Sequence, residues 1–218
     1  MKFFKKNISG EKYQSKLDAL IIHMKNTGFL NDKRVESAIK SIPRHNFIPK
    51  SLLDRSYENG PLPIMNGQTI SQPSVVSRMT EWLDVKEGQK ILEIGSGSGW
   101  QSAILSKLVG TGKIFTIERH ENLANFAREN LKRSDVKNVQ VIHDDGRLGL
   151  PDEAPFDRII ITAACKEIPK ILFEQLALNG LLLAPVGENI QSLKLLKKTT
   201  KGIVEIKNQE GYVFVPLV

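Results

Sequence analysis

The sequence predicts an α/β fold: a doubly wound, mostly parallel sheet with an N-terminal helical addition and an antiparallel C-terminal edge. Three observations carry the prediction. The first is Lys90–Trp100, K-I-L-E-I-G-S-G-S-G-W. There an apolar run, Ile91-Leu92-Glu93-Ile94, stops at Gly95, Gly97 and Gly99, and an amphipathic segment with Ala103, Ile104, Leu105 and Leu108 follows. Strand, glycine turn and helix in that order open a doubly wound domain, because the backbone must bend sharply there and stay bare. The second is that strand-like and helix-like stretches keep alternating after this unit. The third is the C-terminal region, where strand-like segments follow one another with no helix between them, as an antiparallel edge requires.

In sequence order, residues 1–10 are polar and expected to be mobile. Leu17, Leu20, Ile21 and Met24 recur at helical spacing, with Gly28 as a stop. Asp32 is placed to cap a second helix with Val35, Ala38, Ile39 and Ile42 on one face, ended by Pro43. Residues 57–73 are rich in Gly and Pro and read as a long loop, the kind more often functional than idle. Pro73 suits the first position of a helix whose apolar face is Val75, Val76, Met79 and Leu83. Ser71 then sits near a helix N-terminus, where free N–H groups favour an anion, or it simply caps that helix. This divides a single domain, 1–218, into an N-terminal helical addition with a loop (1–73) and an α/β core (74–218).

Within the core, Lys113–Ile117 is the second strand and ends on Glu118, about twenty residues beyond the glycines, where a ribose-binding acid is expected. Leu123, Ala124, Ala127 and Leu131 form the inner face of the next helix. The third strand, Val139–Ile142, ends in His143-Asp144-Asp145-Gly146. Asp145 and Gly146 either meet a cofactor base or form an Asp-Gly turn. Arg158–Thr162 is the fourth strand. A helix over 169–176, a stop at Asn179-Gly180 and a fifth strand over 181–186 come next. Leu193–Thr199 and Ile203–Lys207 are strand-like about Lys201-Gly202, and Tyr212–Leu217 reads as a last strand.

Composition narrows the function classes. The glycines are spaced G-x-G-x-G, and the P-loop ending G-K-[ST] is absent, which disfavours a phosphate cradle. The histidines His23, His45, His120 and His143 are scattered, and no metal is expected. Cys165 stands alone, so no intrachain disulfide forms and a cytoplasmic setting is the default. No apolar run approaches the ~18 residues of a membrane span. The net charge of +7 and pI of about 9.4 suit nucleic acid or a lysine-rich solvated surface; the dispersal of the lysines favours the latter.

The glycine turn with Glu93 inside its strand and Glu118 after the next resembles the S-adenosylmethionine site of the class I methyltransferases. There the first acid lies near the methionine moiety and the second holds the ribose. Longer stretches resemble one family among them, the protein-L-isoaspartate O-methyltransferases: Arg44–Pro49, Gly67–Pro73 (G-Q-T-I-S-Q-P), Leu92–Trp100, Asp145-Gly146, Ala154–Asp157 through Ala164, Pro185–Gly187 and Phe214–Leu217. Trp100, Asp144 and Cys165-Lys166 depart from the family pattern, and the last two are expected to border the pocket.

The resemblance implies S-adenosylmethionine as cofactor, held by Thr69, Ile70, Glu93, Gly95, Ser96, Gly97, Gly99, Glu118, Arg119, Asp145 and Gly146. It implies isoaspartyl proteins and peptides as substrates, with Ser71 hydrogen-bonding the reacting carboxylate beside Thr162, Ala163 and Val215. A monomer, with neither membrane nor nucleic acid as partner, is expected. A nucleic-acid methyltransferase is the main alternative, but the [DN]-P-P-[YF] motif of amino-methylating enzymes is missing where Thr162-Ala163-Ala164-Cys165 stands. Cys165 lacks the preceding proline of a cytosine-attacking thiolate and reads as a small buried residue. A non-catalytic cofactor-binding module is the third reading, and Ser71 beside intact glycines and both acids speaks against it.

Overall fold

The computed structural model describes residues 2–217. The N-terminal part forms α1 (Lys2–Asn26), α2 (Lys33–Ser41) and a short antiparallel hairpin of β1 (Leu62–Pro63) and β2 (Thr69–Ile70). Then come α3 (Pro73–Leu83), β3 (Lys90–Ile94), α4 (Trp100–Val109), β4 (Lys113–Glu118), α5 (Glu121–Arg133), β5 (Val139–His143), β6 (Phe156–Ile161), α6 (Lys170–Gln175), β7 (Leu176–Val186), β8 (Gln191–Thr199) and β9 (Gly202–Tyr212).

Seven strands make one sheet in the order β5-β4-β3-β6-β7-β8-β9. The first five pair in parallel, and β8 and β9 join antiparallel. The path runs from β3 to β4 and β5, then returns to the other side of β3 with β6. That reversal opens a crevice at the carboxyl ends of β3, β4 and β6, where doubly wound sheets bind ligands. β3 reads as a nearly continuous apolar run because both its faces are covered. Ile91 packs with Ile114, Ile160 and Leu183 on one face, and Leu92 and Ile94 pack with Phe115, Ile117, Ile159 and Ile161 on the other. Each such residue contributes roughly 1.5–3 kcal/mol through burial.

The N-terminal addition packs on the outside of α4. Leu17, Leu20, Ile21 and Met24 of α1 and Val35, Ala38 and Ile39 of α2 share a core with Trp100, Ala103 and Ile104. Asp32 caps α2 by accepting from the Arg34 N–H at 2.7 Å, as its position predicts. Residues 2–10, which polarity placed outside any element, lie within α1; Met1 lies outside the described residues.

Two further expectations are corrected. The helix before the fifth strand ends at Gln175, and β7 begins at once. Asn179-Gly180 is not a helix stop. It forms an irregularity within β7, where pairing jumps from Phe156↔Leu176 to Arg158↔Leu181. Asn179 has φ 65, and a Cβ on Gly180 would lie 2.8 Å from the Ala177 carbonyl oxygen. Tyr212–Leu217 is not a last strand either: Tyr212 ends β9, which already occupies the exposed side of β8. Residues 213–217 instead cross to the carboxyl end of β6. There the Ala164 N–H donates to Val215 O and the Leu217 N–H donates to Ala164 O, both at 2.7 Å.

Candidate active site

A cleft enclosing about 910 Å³ of open space lies at the carboxyl ends of β3, β4 and β6. Its floor is the glycine turn. Gly95 has φ 94 and Gly97 φ 51, a region that L side chains rarely adopt. A Cβ on Gly95 would stand 2.5 Å from Thr162 Oγ1. The close approach is used: the Thr162 hydroxyl lies 2.6 Å from the Gly95 carbonyl oxygen and 3.0 Å from that of Ile94, tying the end of β6 to the turn.

Two carboxylates face this floor. Glu118 is held by the Gly97 N–H on Oε2 at 2.9 Å and by the His120 N–H on Oε1 at 3.1 Å. The remaining lone pairs of both oxygens are left for hydroxyl donors. Glu93 is fully buried; the Ser102 hydroxyl donates to its Oε2, and its Oε1 has no partner. Burial pushes its carboxyl up to about 7, and the nearby Glu118 adds to the rise. A buried carboxylate oxygen without a partner is costly unless a cation or donor reaches it. The site therefore fits S-adenosylmethionine: Glu93 suits its ammonium group, Glu118 suits a ribose diol, and the bare turn admits the sulfur-bearing portion between them.

The opposite wall comes from the hairpin and the C-terminal residues. Gln68, Thr69, Ile70 and Ser71 line the cleft together with Thr162, Ala163, Val215, Pro216 and Leu217. Residues far apart in sequence thus meet around one opening. Gln72, not Ser71, is the N-cap residue of α3, which answers the capping alternative. The loop before it is fastened from beneath by Arg44, which is 1% exposed. Its guanidinium donates to the carbonyls of Ser56 (2.9 Å), Glu58 (3.4 Å), Gly60 (3.0 Å) and Ser71 (3.1 Å) and stacks 5.4 Å from the Trp100 ring centroid. Burial lowers its pKa to about 10, so it stays charged at neutral pH.

Most predicted site residues line the cleft, including Ser96, Arg119 and Gly146. Two do not. The carboxylate of Asp145 pairs with Arg147 at 2.6 Å and caps a short turn, the Asp-Gly alternative, and the Arg147 bond holds it below the usual carboxylate range. Gly99 meets α5: a Cβ there would lie 3.4 Å from Ala127, so its absence serves helix packing. Val76, Met79, Trp100 and Gln101 also line the cleft, although their sequence context marks them only as helix positions or as a departure. Of the departures, Trp100 is buried, and its indole N–H donates to Ile42 O at 3.2 Å, fastening α4 to the N-terminal addition. Asp144 and Cys165-Lys166 do not line the cleft, contrary to expectation. Burial pushes the Cys165 thiol up to about 11, which leaves no thiolate for attack.

The hairpin and the start of α5 are clasped at the surface. Asn66 Nδ2 donates to Asn122 Oδ1 at 2.7 Å, and Asn122 Nδ2 returns to Asn66 Oδ1 at 3.0 Å. Asn122 follows Arg119 and His120, so the clasp bridges two sides of the cleft.

A doubly wound sheet, a bare G-x-G-x-G turn at its switch point and acids in and after the flanking strands define a class I S-adenosylmethionine-dependent methyltransferase. The family model "Protein-L-isoaspartate(D-aspartate) O-methyltransferase" matches residues 15–218. The protein is 46% identical over 188 residues to the protein-L-isoaspartate O-methyltransferase of Methanococcoides burtonii, covering 86% of this sequence and 93% of that one. It is 43% identical over 204 residues to its counterpart in Methanopyrus kandleri, covering 92% and 90%. Among solved structures it is similar, with a TM-score of 0.82 and 27% identity, to one described as a putative protein-L-isoaspartate O-methyltransferase of Plasmodium falciparum in complex with S-adenosyl-L-homocysteine. That likeness covers 92% of this protein and 97% of the other. The chain belongs to the protein-L-isoaspartate (D-aspartate) O-methyltransferase family.

Proposed function

We propose that this protein transfers the methyl group of S-adenosylmethionine to the α-carboxylate of L-isoaspartyl residues in aged proteins and peptides. The next residue's amide nitrogen then attacks the ester carbonyl, methanol leaves and a succinimide forms, and hydrolysis of the succinimide returns part of the material to normal aspartate. The observation that carries the reading is the meeting of Ser71, Thr162, Ala163 and Val215 around the mouth of a cleft floored by Gly95 and Gly97.

When bound, S-adenosylmethionine supplies an electrophilic methyl on a sulfonium. The protein's own residues position the acceptor. A carboxylate is already ionised near pH 7, so no general base is needed. The Ser71 hydroxyl donates to one carboxylate oxygen and leaves the other free to attack in line. The backbone at Ala163 and Val215 receives the peptide on either side. Glu93 and Glu118 hold the cofactor's ammonium and ribose, with Thr69, Ile70, Ser96, Arg119 and Gly146 completing its walls. Gly99 and Asp145 serve that site through packing and turn geometry.

The reading extends to a single domain over 1–218, acting as a monomer in the cytoplasm. Its support there is a seven-stranded sheet whose central strands β3, β4 and β6 are buried, and a lone, buried thiol at Cys165. Among the described residues, no helix is long and apolar enough to cross a membrane.

Selectivity between isomers is the test. An isoaspartyl peptide and its aspartyl isomer carry the same charge but place the carboxylate differently, and a misplacement on the order of 1 Å can cost ~100-fold in rate. With labelled cofactor, the isoaspartyl peptide is expected to be methylated and the aspartyl one ignored. Ser71→Ala is expected to lower turnover while cofactor binding stays nearly intact. Comparable methylation of the two isomers at equal concentration would refute the substrate assignment.

A further inference from the structure

An asparagine followed by glycine is the pair in which the backbone most readily attacks its own neighbouring amide. Glycine has no Cβ to keep its nitrogen away from the carbonyl carbon of the preceding asparagine amide. The pair occurs at Asn59-Gly60, Asn66-Gly67 and Asn179-Gly180. The fold treats the three differently. Asn59 is half-buried, its Oδ1 accepts from the Ser74 N–H at 3.1 Å, and the Gly60 carbonyl is held by Arg44 at 3.0 Å. Gly180 is buried inside β7, with Asp157 O only 3.0 Å from where a Cβ would stand. Neither backbone is free to rotate into an attacking geometry.

Asn66 and Gly67 are both exposed at the tip of the β1–β2 hairpin. Both have positive φ, 58 and 68, and nothing lies within 4 Å of the Gly67 Cβ position. Two backbone bonds close the turn, Ile64 N–H to Gln68 O at 2.9 Å and Gln68 N–H to Met65 O at 3.0 Å, and both bypass the Gly67 nitrogen; the Asn66 amide is held by the exposed clasp with Asn122. An exposed amide pair is a weak restraint, since water replaces each partner at little cost.

We infer that Asn66 is this protein's own ageing site, and that its isoaspartyl product is a substrate for a second copy of the same molecule. The inference rests on the activity proposed above. The Gly67 nitrogen bonds to Asn66 Cγ, the bond between Cγ and Nδ2 breaks, and the Gly67 amide proton departs with Nδ2 as ammonia. Water then opens the succinimide at either carbonyl, leaving an aspartyl or an isoaspartyl residue. The isoaspartyl form routes the backbone through Cβ and Cγ and frees an α-carboxylate on an exposed tip. Repair must come from another molecule. Thr69–Ile70 is extended in β2 and Ser71 follows directly, so the tip cannot fold back onto its own site without undoing the hairpin that builds it.

The damage falls on a wall of the repair site. Losing Asn66 Nδ2 removes one of the two bonds that join the hairpin to the start of α5, on either side of the cleft.

The test ages the purified full-length protein at mildly alkaline pH, then adds fresh enzyme and labelled S-adenosylmethionine, with a synthetic isoaspartyl peptide as a parallel substrate. Peptide mapping by mass spectrometry locates deamidation and label. Both are expected first on the peptide holding residue 66, and the label there is expected to fall at least tenfold in aged Asn66→Gln used as substrate. Methylation of the synthetic peptide with no label at residue 66, or label appearing first at Asn59 or Asn179, overturns the inference. Failure on the synthetic peptide as well would overturn the proposed activity instead.

Discussion

Glu93 and Glu118 show how two carboxylates beside one glycine turn acquire different jobs. Glu118 is satisfied by two backbone N–H groups and faces the cleft ready to accept from hydroxyls. Glu118→Ala is expected to weaken cofactor binding by roughly 1–3 kcal/mol, the scale of lost hydrogen bonds to a charged group; calorimetry on the folded variant measures it. Glu93 is desolvated, with one oxygen unpartnered and its pKa pushed up to about 7. A folded-state pKa above the unfolded value of 4.5 means that the native protein keeps a proton the unfolded one has released. Its contribution to stability is therefore complete below about 4.5 and is lost as pH rises through about 7. A cationic cofactor group reverses the preference, because it favours the ionised form. Cofactor affinity is expected to rise with pH up to about 7 and then level off, with proton release on binding. Calorimetry in buffers of different ionisation enthalpy, with Glu93→Gln as the flat reference, checks this.

At the scale of elements, the loop over 57–73 has little apolar surface of its own to hold it. Leu62 and Ile70 are buried, but much of the segment is exposed or half-buried. Arg44 supplies the order by collecting four carbonyls from Ser56 to Ser71 under the hairpin, backed by the Trp100 ring. Arg44→Met keeps much of the volume and leaves those carbonyls without their donor. The expected loss is about 3 kcal/mol or more of stability, since each hydrogen bond to a charged group is worth ~1.5–3 kcal/mol. A larger fractional loss of turnover than of cofactor affinity is also expected, because Arg44 holds the Ser71 carbonyl itself, whereas of the proposed cofactor walls only Thr69 and Ile70 lie on the loop. Denaturant unfolding and steady-state kinetics on the same variant separate the two effects.

Over the whole molecule, a net charge of +7 surrounds a cleft that suits a carboxylate. Lys25, Lys40, Lys86, Lys166 and Lys194 are in ion pairs, most of them exposed, and such pairs add at most ~1 kcal/mol each. The excess of positive charge acts mainly as a field. For an isoaspartyl peptide with acidic flanks, kcat/KM is expected to fall as salt rises, and a neutral peptide of the same length is expected to change little. Stopped-flow or initial-rate measurements over a salt series decide it.

What the sequence by itself determined is what short-range physics settles. Apolar runs interrupted by glycines marked β3 and its turn, Asp32 announced the start of α2, and the spacing from the glycines marked Glu118. Ser71 and the Phe214–Leu217 stretch were legible through family resemblance, which carries long-range information that periodicity lacks. The tertiary structure decided the rest, because the deciding partners are distant in sequence. Arg44 finds its carbonyls as far away as Ser71, and Trp100 finds Ile42. The C-terminal residues pair with Ala164 because β9 already covers β8. Gly99 and Asp145 sit in motifs that suggest cofactor contact, yet one makes room for Ala127 and the other binds the neighbouring Arg147. A motif specifies where the backbone turns; which residues face the cleft depends on what else packs against that turn.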